Sequence, residues 1–587
     1  MASSKAQAWG LAPGYHDIEG RWRTPSAETE QALLAAMGAT AEEPQVAGEG
    51  PLVVRAGERA AVLEPELETE DGAVLQLDGR LPGDLPLGYH RLRGEQRERR
   101  LVVSPGACCL PDQLRGFGFA VQLYSLLSAA SAGIGDLGDL RGLSTWAGGE
   151  LGARFLLVNP LHAPLPGLPQ EPSPYYPSSR RFLNPLYLRL DWLPESERAR
   201  LNAAPEVDRD RVHQLKLPAL AARWEAVRGR TERELREFRA GRPGLREYAF
   251  FCALSETHGR PWRAWPPELR HPASAAVTRF GRAQAARVHF HEWLQLLLDR
   301  QLQEAGSGPA GLVNDLAIGV HPDGADAWAW QDQLAEAVSV GAPPDPFNAE
   351  GQDWGLPPFD PWRLRAAGYE PFVQTLRAAL RHAAGIRVDH VMGLFRLYWI
   401  PAGAGPAAGA YVRYPAGELL DILALESVRA GAYVVGEDLG TVQDEVRDEL
   451  RRRRILSYKL LWFERREPAE FPEQALAALT THDLPTLTGV WSGSDPLPEV
   501  RERLARLAGP GGDVLLAAYR ALAEAPSRLL AATLEDVTGM EQRPNLPGTT
   551  GEHPNWALRL PLTLEELKAD PRPRAVARAL SRNGLLQ

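Results

Sequence analysis

The sequence predicts an α/β protein built around a (β/α)8 TIM barrel, with large helical insertions and a small β-sandwich at its N-terminal end. Two observations favour this fold class. After about residue 110, short apolar runs alternate with stretches of helical periodicity, and eight such runs can be counted. Each run carries polar residues within it or toward its C-terminal end, where a barrel of this kind builds its active site.

Residues 1–110 are predicted to form an N-terminal extension. Residues 25–38 predict a short helix, with Ser26 as the N-cap, acidic residues in the first turn and Gly38 at the end. From about residue 50 to 104, short apolar or alternating runs and the turn sequence EDG predict strands. We interpret these strands as a small β-sandwich attached to the barrel of residues 111–587.

The barrel strands are predicted from eight runs: GFAVQLY, RFLLVNP, GLVNDLAIG, GIRVDH, AYVVGEDLG, ILSYKLLWF, ALTTHD and LLAATLED. About 150 residues separate the second run from the third, far more than the roughly 30 residues of one β/α unit. We therefore expect an inserted helical lobe at about residues 165–305. A second insertion, at about residues 320–375, is rich in Pro, Gly and Trp, as a lid or a binding loop would be.

The composition limits the classes of protein and of partner. Hydrophobic residues make up 44% and charged residues 24% of the 587 residues, which is typical of a soluble globular protein. The formal net charge of −10 argues against nucleic acid or an anionic membrane as the main partner and is compatible with a neutral substrate. The three cysteines follow no zinc or disulfide pattern, and the N-terminal segment lacks the apolar region of a signal peptide. We expect a cytoplasmic protein.

Three carboxylates carry the predicted chemistry. Asp389, Glu437 and Asp483 follow three of the apolar runs, separated by 48 and 46 residues, and we interpret them as lying at three neighbouring strand ends. Two carboxylates whose pKa values are pushed apart are the usual arrangement for glycoside chemistry. One of them attacks the anomeric carbon as an anion, and the other delivers a proton to the leaving oxygen.

Arg387 stands two residues before Asp389 on an apolar strand, so both side chains are predicted to point to the same side. Burying a charge costs several kcal/mol unless it is paired or used. We expect Arg387 to lower the pKa of Asp389 and so to keep it ionised as a nucleophile. A buried ion pair with no catalytic role is the alternative interpretation of this pair taken alone.

His390 and His482 stand beside two of the acids, and two histidines with three acids could also form a metal site. Adjacent residues of a strand point to opposite faces, which argues against shared ligation. We therefore expect no metal. The sequence also contains no phosphate-binding glycine loop.

Aromatic residues in predicted loops suit a sugar ligand, because a pyranose ring stacks on aromatic faces. Tyr175, Tyr176, Phe347 and Trp354 lie in loops that follow predicted strand ends. Packing of these loops against the barrel is an equally good interpretation of any single one of them.

Several motifs, in order from about residue 117 to 556, resemble those of the amylomaltases, the 4-α-glucanotransferases of glycoside hydrolase family 77. They are VQLYSLLSAASAGIGDLGDL, SPYYPSSRRFLNPLYL, VGAPPDPFNAEGQDWGLPP, IRVDHVMGLFRLYWIP, YPAGE, VVGEDLGTV, THDLPTLTGVW and NLPGTTGEHPNW. The N-terminal part resembles the extension of longer bacterial members. The resemblance implies a retaining transglycosylase that transfers segments of α-1,4-glucans, with maltooligosaccharides or starch-derived dextrins as donors and glucose or glucans as acceptors.

The resemblance also implies roles for individual residues and implies no cofactor. Asp389 falls on the position of the nucleophile, Glu437 on that of the general acid/base, and Asp483 on the residue that holds the sugar 2- and 3-hydroxyls. The remaining predicted site residues are assigned to substrate binding: Arg387, His482, Tyr175, Asp315, Asn184, Trp354, Phe347 and His390.

Three other functions stay open at the level of the sequence. An α-1,4-glucan hydrolase would use the same three acids and differ only in passing the intermediate to water. A non-catalytic glucan-binding protein would keep the barrel without turnover. A metal-dependent barrel enzyme is the third, and it would lose activity in a chelator.

Overall fold

The computed structural model describes residues 3–17, 19–44, 50–95, 97–345, 348–440, 442–549 and 551–581. In chain order, the strands of this part of the chain are β1 (Tyr15–His16), β2 (Trp22–Arg23), β3 (Leu52–Arg55), β4 (Glu66–Glu68), β5 (Val74–Gln76), β6 (Gly88–Arg93), β7 (Glu98–Ser104), β8 (Gly116–Val121), β9 (Phe155–Val158), β10 (His162–Ala163), β11 (Ser179–Leu183), β12 (Gly311–Leu316), β13 (Val338–Ala342), β14 (Gln352–Leu356), β15 (Gly385–Val388), β16 (Arg396–Pro401), β17 (Ala410–Arg413), β18 (Tyr433–Gly436), β19 (Leu456–Leu460), β20 (Ala475–Ala478) and β21 (Leu529–Thr533).

The helices are numbered in the same way. They are α1 (Ser4–Ala8), α2 (Ala27–Ala36), α3 (Leu137–Leu151), α4 (Glu195–Asn202), α5 (Arg209–Ala240), α6 (Leu245–His258), α7 (Ala275–Ala283), α8 (Ala285–Gly306), α9 (Ala325–Ala329), α10 (Pro361–Ala366), α11 (Glu370–Ala379), α12 (Ala416–Ala430), α13 (Asp444–Arg452), α14 (Leu487–Ser492), α15 (Pro498–Ala508), α16 (Val514–Ala523), α17 (Leu534–Thr538), α18 (Leu564–Ala569) and α19 (Pro571–Leu580). Among the described helices, none combines the length and the apolarity needed to cross a bilayer.

Eight parallel strands close into a barrel in the order β8, β9, β12, β15, β18, β19, β20 and β21. Each of the eight apolar runs overlaps one of these strands, so the predicted (β/α)8 fold class is confirmed. Short, fully buried runs followed by polar residues were the correct signal, because a barrel strand is covered on both faces and opens to solvent only where it ends.

The barrel interior is apolar in its middle and polar toward the C-terminal ends of the strands. Val313 and Val435 belong to one buried cluster with apolar residues of β9, β19, β20 and β21. Side chains two positions apart share a face of a strand, so the same inward rows continue to Asp315 and Glu437. Because side chains alternate between the two faces of a strand, the carboxylates of Asp315 and Glu437 lie inside the barrel at the C-terminal end of the strands.

Two insertions extend the barrel. Between β9 and β12 lie the antiparallel pair β10–β11 and the helices α4 to α8. Between β12 and β15, β13 and β14 join β16 and β17 in an antiparallel sheet of order β14, β13, β16, β17. The region predicted as a lid or a binding loop at about 320–375 thus contains strands and helices of its own.

The N-terminal residues pack against that four-stranded sheet. Helix α2 follows Ser26, whose side chain accepts a hydrogen bond from the backbone N–H of Thr29, and the chain leaves the helix through Gly38 with φ at 65°. The predicted helix is confirmed. Trp9 and Leu33 share a buried cluster with Trp399, so this segment covers the sheet beside the barrel mouth.

Residues 52–104 form strands, as predicted, but their arrangement differs from the prediction. The sequence predicted a β-sandwich, and the described residues form one five-stranded sheet in the order β3, β7, β6, β4, β5. Leu101 and Val103 of β7 point into a small core of this sheet. Val102, on the other face, packs with Leu420 of α12. A barrel helix covers the face that a second sheet would cover in a sandwich.

Candidate active site

Asp389 and Glu437 follow adjacent strands at equivalent positions. Val388 of β15 and Gly436 of β18 are register partners, so the two acids are the next residues on neighbouring strands. The backbone ladder continues through them, because the N–H of Glu437 donates to the carbonyl of Val388 at 3.0 Å and the N–H of Asp389 donates to the carbonyl of Leu316 at 3.1 Å. This places both carboxyl groups side by side at the C-terminal end of the barrel.

Arg387 joins the acids from within the barrel. Its Nη1 atom donates to both carboxylate oxygens of Asp315, each at 2.8 Å, and to Oδ1 of Asp389 at 3.0 Å. Arg387 is 5% exposed and Asp315 is 4% exposed. The hydroxyl of Tyr175 donates to Oδ2 of Asp315 at 2.6 Å. A tyrosine, an arginine and two carboxylates therefore form one continuous network.

Burial and ion pairing act in opposite directions on the pKa of Asp389. Burial raises it to about 6, and the nearby carboxylates of Asp315 and Glu437 act in the same direction. Arg387 does lower the pKa of Asp389, as predicted, but the net shift is upward. Desolvation by burial is the largest effect and outweighs the lowering by Arg387, which Asp389 also shares with Asp315.

Glu437 is held by backbone groups. Its two carboxylate oxygens accept hydrogen bonds from the N–H of His390 at 2.9 Å and from the N–H of Leu439 at 2.7 Å. His390 has a left-handed backbone with φ at 46°, a conformation that costs a non-glycine residue free energy and often marks a functional site. Burial raises the pKa of Glu437, while Arg387 and the two N–H groups oppose this effect.

Asp483 lies in the loop after β20, and β19 separates β20 from β18. The prediction that the three acids occupy neighbouring strand ends is thus wrong for Asp483. Its Oδ1 accepts from Nδ2 of Asn545 at 2.7 Å, and its Oδ2 lies 3.3 Å from Nε2 of His482. Desolvation acts to raise the pKa of Asp483, but His482 and Asn545 lower it on balance. The pKa of His482 is raised, since the attraction of Asp483 outweighs burial.

Aromatic rings surround this end of the barrel. The Tyr175 ring stacks on His482 with centroids 4.9 Å apart, and Trp556 packs against both rings at 5.4 and 5.3 Å. Trp354 contacts the ring of His390 edge-on at 5.6 Å. The structure thus brings Tyr175, Trp354 and both histidines together around the acids.

One predicted substrate-binding residue, Asn184, is not part of this cluster, and another lies outside the described residues. Asn184 is buried, and its Oδ1 accepts from the N–H of Leu186 at 2.9 Å. Its side chain caps the short turn at Pro185–Tyr187, which is a structural role. Phe347 lies outside the described residues, so its assignment stays a prediction.

Several residues of the site were not singled out from the sequence. Asn545 and Trp556 lie in NLPGTTGEHPNW, a motif whose contact with Asp483 and Tyr175 only the fold reveals. Glu535 and Gln122 line a cavity of about 20 Å³ beneath the network, next to Arg387 and His482. Burial raises the pKa of Glu535 to about 7. Glu535 and Gln122 stand toward the ends of two predicted barrel strands, and this position in the sequence could have identified them as candidate site residues.

The arrangement places two carboxyl groups of raised pKa on neighbouring strands, and one of them, Asp389, is ion-paired with Arg387. Such a pair can supply a nucleophile and a proton donor to one glycosidic bond. Within the described ranges, the His, Cys, Asp and Glu side chains form no group of three that could hold a metal ion.

Comparison with known proteins agrees with this chemistry. A family model described as 4-alpha-glucanotransferase matches residues 121–563. The 4-alpha-glucanotransferase of Mycobacterium tuberculosis is 40% identical over 98% of this chain and 97% of its own length. That of Haemophilus influenzae is 33% identical over 95% of each chain. The crystal structure of amylomaltase from Corynebacterium glutamicum superposes with a TM-score of 0.84 at 31% identity, covering 99% of both chains.

Proposed function

The chain belongs to glycoside hydrolase family 77, the 4-alpha-glucanotransferases, and from this premise we propose that Asp389 and Glu437 carry out its glucan transfer by double displacement with retention of configuration. The acceptor is a second sugar, which distinguishes transfer from hydrolysis. The donors are maltooligosaccharides or starch- and glycogen-derived dextrins, and the acceptor is the 4-hydroxyl of glucose or of another glucan.

In the first half-reaction, a carboxylate oxygen of Asp389 attacks the anomeric carbon of the donor. The bond to the glycosidic oxygen breaks, and the carboxyl proton of Glu437 passes to that oxygen as it leaves. Because the donor linkage is α, the product is a β-linked glycosyl ester on Asp389 together with the shortened glucan.

In the second half-reaction, the carboxylate of Glu437 takes the proton from the 4-hydroxyl of the acceptor. The hydroxyl oxygen attacks the anomeric carbon and the ester bond to Asp389 breaks. The new linkage is α again, Asp389 leaves as a carboxylate, and Glu437 is protonated for the next cycle.

The observation that carries this proposal is the register of β15 and β18. It makes Asp389 and Glu437 successive partners on adjacent strands. Adjacent strands lie roughly 4.8 Å apart, so the carboxyl groups can approach to the roughly 5 Å used by retaining enzymes rather than the 6.5–9.5 Å that inverting enzymes use. The environments support the same division of roles, since the ion pair with Arg387 favours the ionised form of Asp389 and burial raises the pKa of Glu437, which favours its protonated form.

The remaining residues bind and orient the sugar. Asp483, whose carboxylate carries a lowered pKa, accepts hydrogen bonds from the 2- and 3-hydroxyls, and His482 donates to the same ring. The stacked rings of Tyr175 and His482 form one wall for the sugar, and Trp354 lies on the side of His390. Arg387 and Asp315 hold Asp389 in position for attack.

Incubation of the purified protein with maltotriose alone tests this proposal. We expect glucose and a ladder of longer maltodextrins by chromatography, and we expect both to be absent for Asp389→Asn. Glucose and maltose without longer products would mean that water is the acceptor. An active Asp389→Asn variant would remove Asp389 from the role of nucleophile.

The cytoplasmic location stays a prediction from the sequence. Cys108, Cys109 and Cys252 are free thiols in the structure, which is compatible with a reducing compartment.

A further inference from the structure

A cavity of about 320 Å³ lies beside β12, and its lining includes none of Asp389, Glu437 and Asp483. Its walls come from β11, from α8 and α11, and from the connection between α5 and α6. Asn314 and Asp315 are consecutive in β12, and both line this cavity. The carboxylate of Asp315 is already engaged by Arg387 and Tyr175. Asn314 donates from Nδ2 to the carbonyl of Ala379 on α11.

The lining of this cavity is unusually rich in arginine. We call it the arginine cavity after Arg180, Arg181, Arg242, Arg377 and Arg381, which all line it. Three carboxylates pair with four of these side chains. Arg181 pairs with Asp326 at 3.0 Å, Arg377 with Glu426 at 3.0 Å, and both Arg242 and Arg381 with Asp299 at 2.8 and 3.5 Å.

Arg180 has a different environment. Its Nη1 atom donates to the backbone carbonyls of Ala317 and Ile318 rather than to a carboxylate. Burial lowers the pKa of Arg180 to about 10, which leaves it charged at neutral pH. Five guanidinium groups face four carboxylates, Asp299, Asp315, Asp326 and Glu426, of which Asp315 is paired with Arg387, so a local excess of positive charge remains.

Buried polar atoms without a partner are concentrated around this cavity. Among the described residues, Nε of Arg180, Nη2 of Arg181, Nε of Arg242, Nε2 of His162 and Oδ1 of Asn314 are buried and accept or donate no hydrogen bond. All five residues line the cavity. The Arg181 side chain is only 4% exposed. Leaving a buried donor unsatisfied costs free energy, and more for a charged group, so an occupant rich in acceptor oxygens would stabilise the three unpaired guanidinium N–H groups, while Oδ1 of Asn314 accepts and would pair with a hydroxyl of the occupant.

We propose that the arginine cavity binds the phosphate group of a small phosphorylated compound. Phosphate oxygens accept hydrogen bonds from guanidinium groups in the fork geometry that arginine presents, and their charge balances the cation excess. A neutral sugar would satisfy the donors but not the charge. The mouth is reachable from solvent past Arg377 and Arg381, whose side chains are 37% and 27% exposed. The ligand is therefore inorganic phosphate or a sugar phosphate, both bound through the same group.

Isothermal titration of the full chain with inorganic phosphate and with glucose 6-phosphate, at constant ionic strength, tests the proposal. We expect each compound to bind, to compete with the other, and to raise the melting temperature of the protein.

The variant Arg181→Gln is expected to weaken phosphate binding more than tenfold. Because Arg181 also holds Asp326 and Gln374, Arg242→Gln provides a second variant at a less buried position, with the same expected loss. Arg233→Gln, at an 84% exposed side chain on α5, is the matched control and is expected to bind as the parent does.

The outcomes separate this site from the catalytic one. Asp389→Asn is expected to keep phosphate binding unchanged, and maltotriose is expected not to displace phosphate. Tighter binding of glucose 6-phosphate than of phosphate would assign a sugar phosphate as the ligand, and equal binding would assign free phosphate. The absence of millimolar binding, or equal binding by Arg242→Gln and the parent, would overturn the proposal and leave a cavity filled by water. Displacement by maltotriose would overturn it also, because binding would then be at the active site.

Discussion

Arg387 and Asp315 are joined by two hydrogen bonds of 2.8 Å from one nitrogen atom of the guanidinium group, inside the barrel and almost without solvent contact. The contact of Arg387 with Asp389 is longer, at 3.0 Å. Asp315 therefore competes with Asp389 for the positive charge. We infer that Asp315, which does not need to touch the substrate, adds to the effect of burial in raising the pKa of the nucleophile.

The first prediction concerns Asp315→Asn. Asp315 raises the pKa of Asp389, which is about 6, so removal of its charge should lower that pKa. Because Asp389 reacts as an anion, the acidic limb of the kcat/KM profile for maltotriose should move to lower pH. Asp332→Asn, at a carboxylate that is 68% exposed and pairs with His271, is the control and should leave the profile in place. An acidic limb that stays or moves to higher pH in Asp315→Asn would contradict this account.

The second prediction concerns Arg387→Met. This change leaves the carboxylates of Asp315 and Asp389 together without a cation, and breaking a buried ion pair costs about 3–5 kcal/mol. We expect a loss of unfolding free energy of that order in urea and a loss of kcat of a hundredfold or more. Arg387→Met combined with Asp315→Asn should recover part of the stability but little activity. Equal stability of the single and double variants would show that the Asp315 charge is not the source of the cost.

The third prediction concerns stability and pH at Glu535. The pKa of this buried side chain is raised to about 7 from 4.5. Between these pH values the unfolded chain has lost the proton and the folded chain keeps it, so the free energy of unfolding falls as pH rises. Glu535→Gln should remove this slope. The variant and the parent should match near pH 4 and differ by on the order of 3 kcal/mol above pH 7, with the variant more stable. Parallel stability curves would contradict the raised pKa.

The fourth prediction separates two roles of Tyr175. Tyr175→Phe removes the hydrogen bond to Asp315 and keeps the ring against His482. We expect it to lower unfolding stability by roughly 1.5–3 kcal/mol with a KM for maltotriose within a few-fold of the parent value. Tyr175→Ala also removes the stacking surface, and its KM should rise about tenfold, or 1.4 kcal/mol. Equal KM values for the two variants would show that the ring does not contact the sugar.

The barrel could be predicted from the sequence because its strands are short, buried on both faces and followed by polar residues. The same reasoning placed Asp389, Glu437 and Arg387 together, since residues two apart share a strand face. Asp483 was assigned to a neighbouring strand end although the predicted run ILSYKLLWF lies between the runs that carry Glu437 and Asp483, and consecutive strands are neighbours in a (β/α)8 barrel. In the barrel, β19 lies between the strands that carry Glu437 and Asp483.

Features that depend on long-range contacts could not be predicted. The upward shift of the pKa of Asp389 follows first from burial in the folded barrel and then from the carboxylates of Asp315, which is 74 residues away in the sequence, and Glu437. The contact of Asn545 with Asp483 spans 62 residues. Asn184 lies in SPYYPSSRRFLNPLYL, one of the motifs that resemble the amylomaltases, yet its side chain caps a turn. A single sequence gives residue types and local periodicity, whereas these three outcomes depend on the tertiary contacts of each side chain.

The central claim is that Asp389 forms the glycosyl ester, and mass spectrometry of a trapped intermediate tests it most directly. Glu437→Gln should still react with α-maltosyl fluoride, because fluoride leaves without a proton, and it should then deglycosylate slowly because the general base is missing. We expect the peptide that contains Asp389 to gain one maltosyl group, with Asp389→Asn as the negative control. A maltosyl group on another carboxylate, or release of fluoride without any adduct, would contradict the assignment.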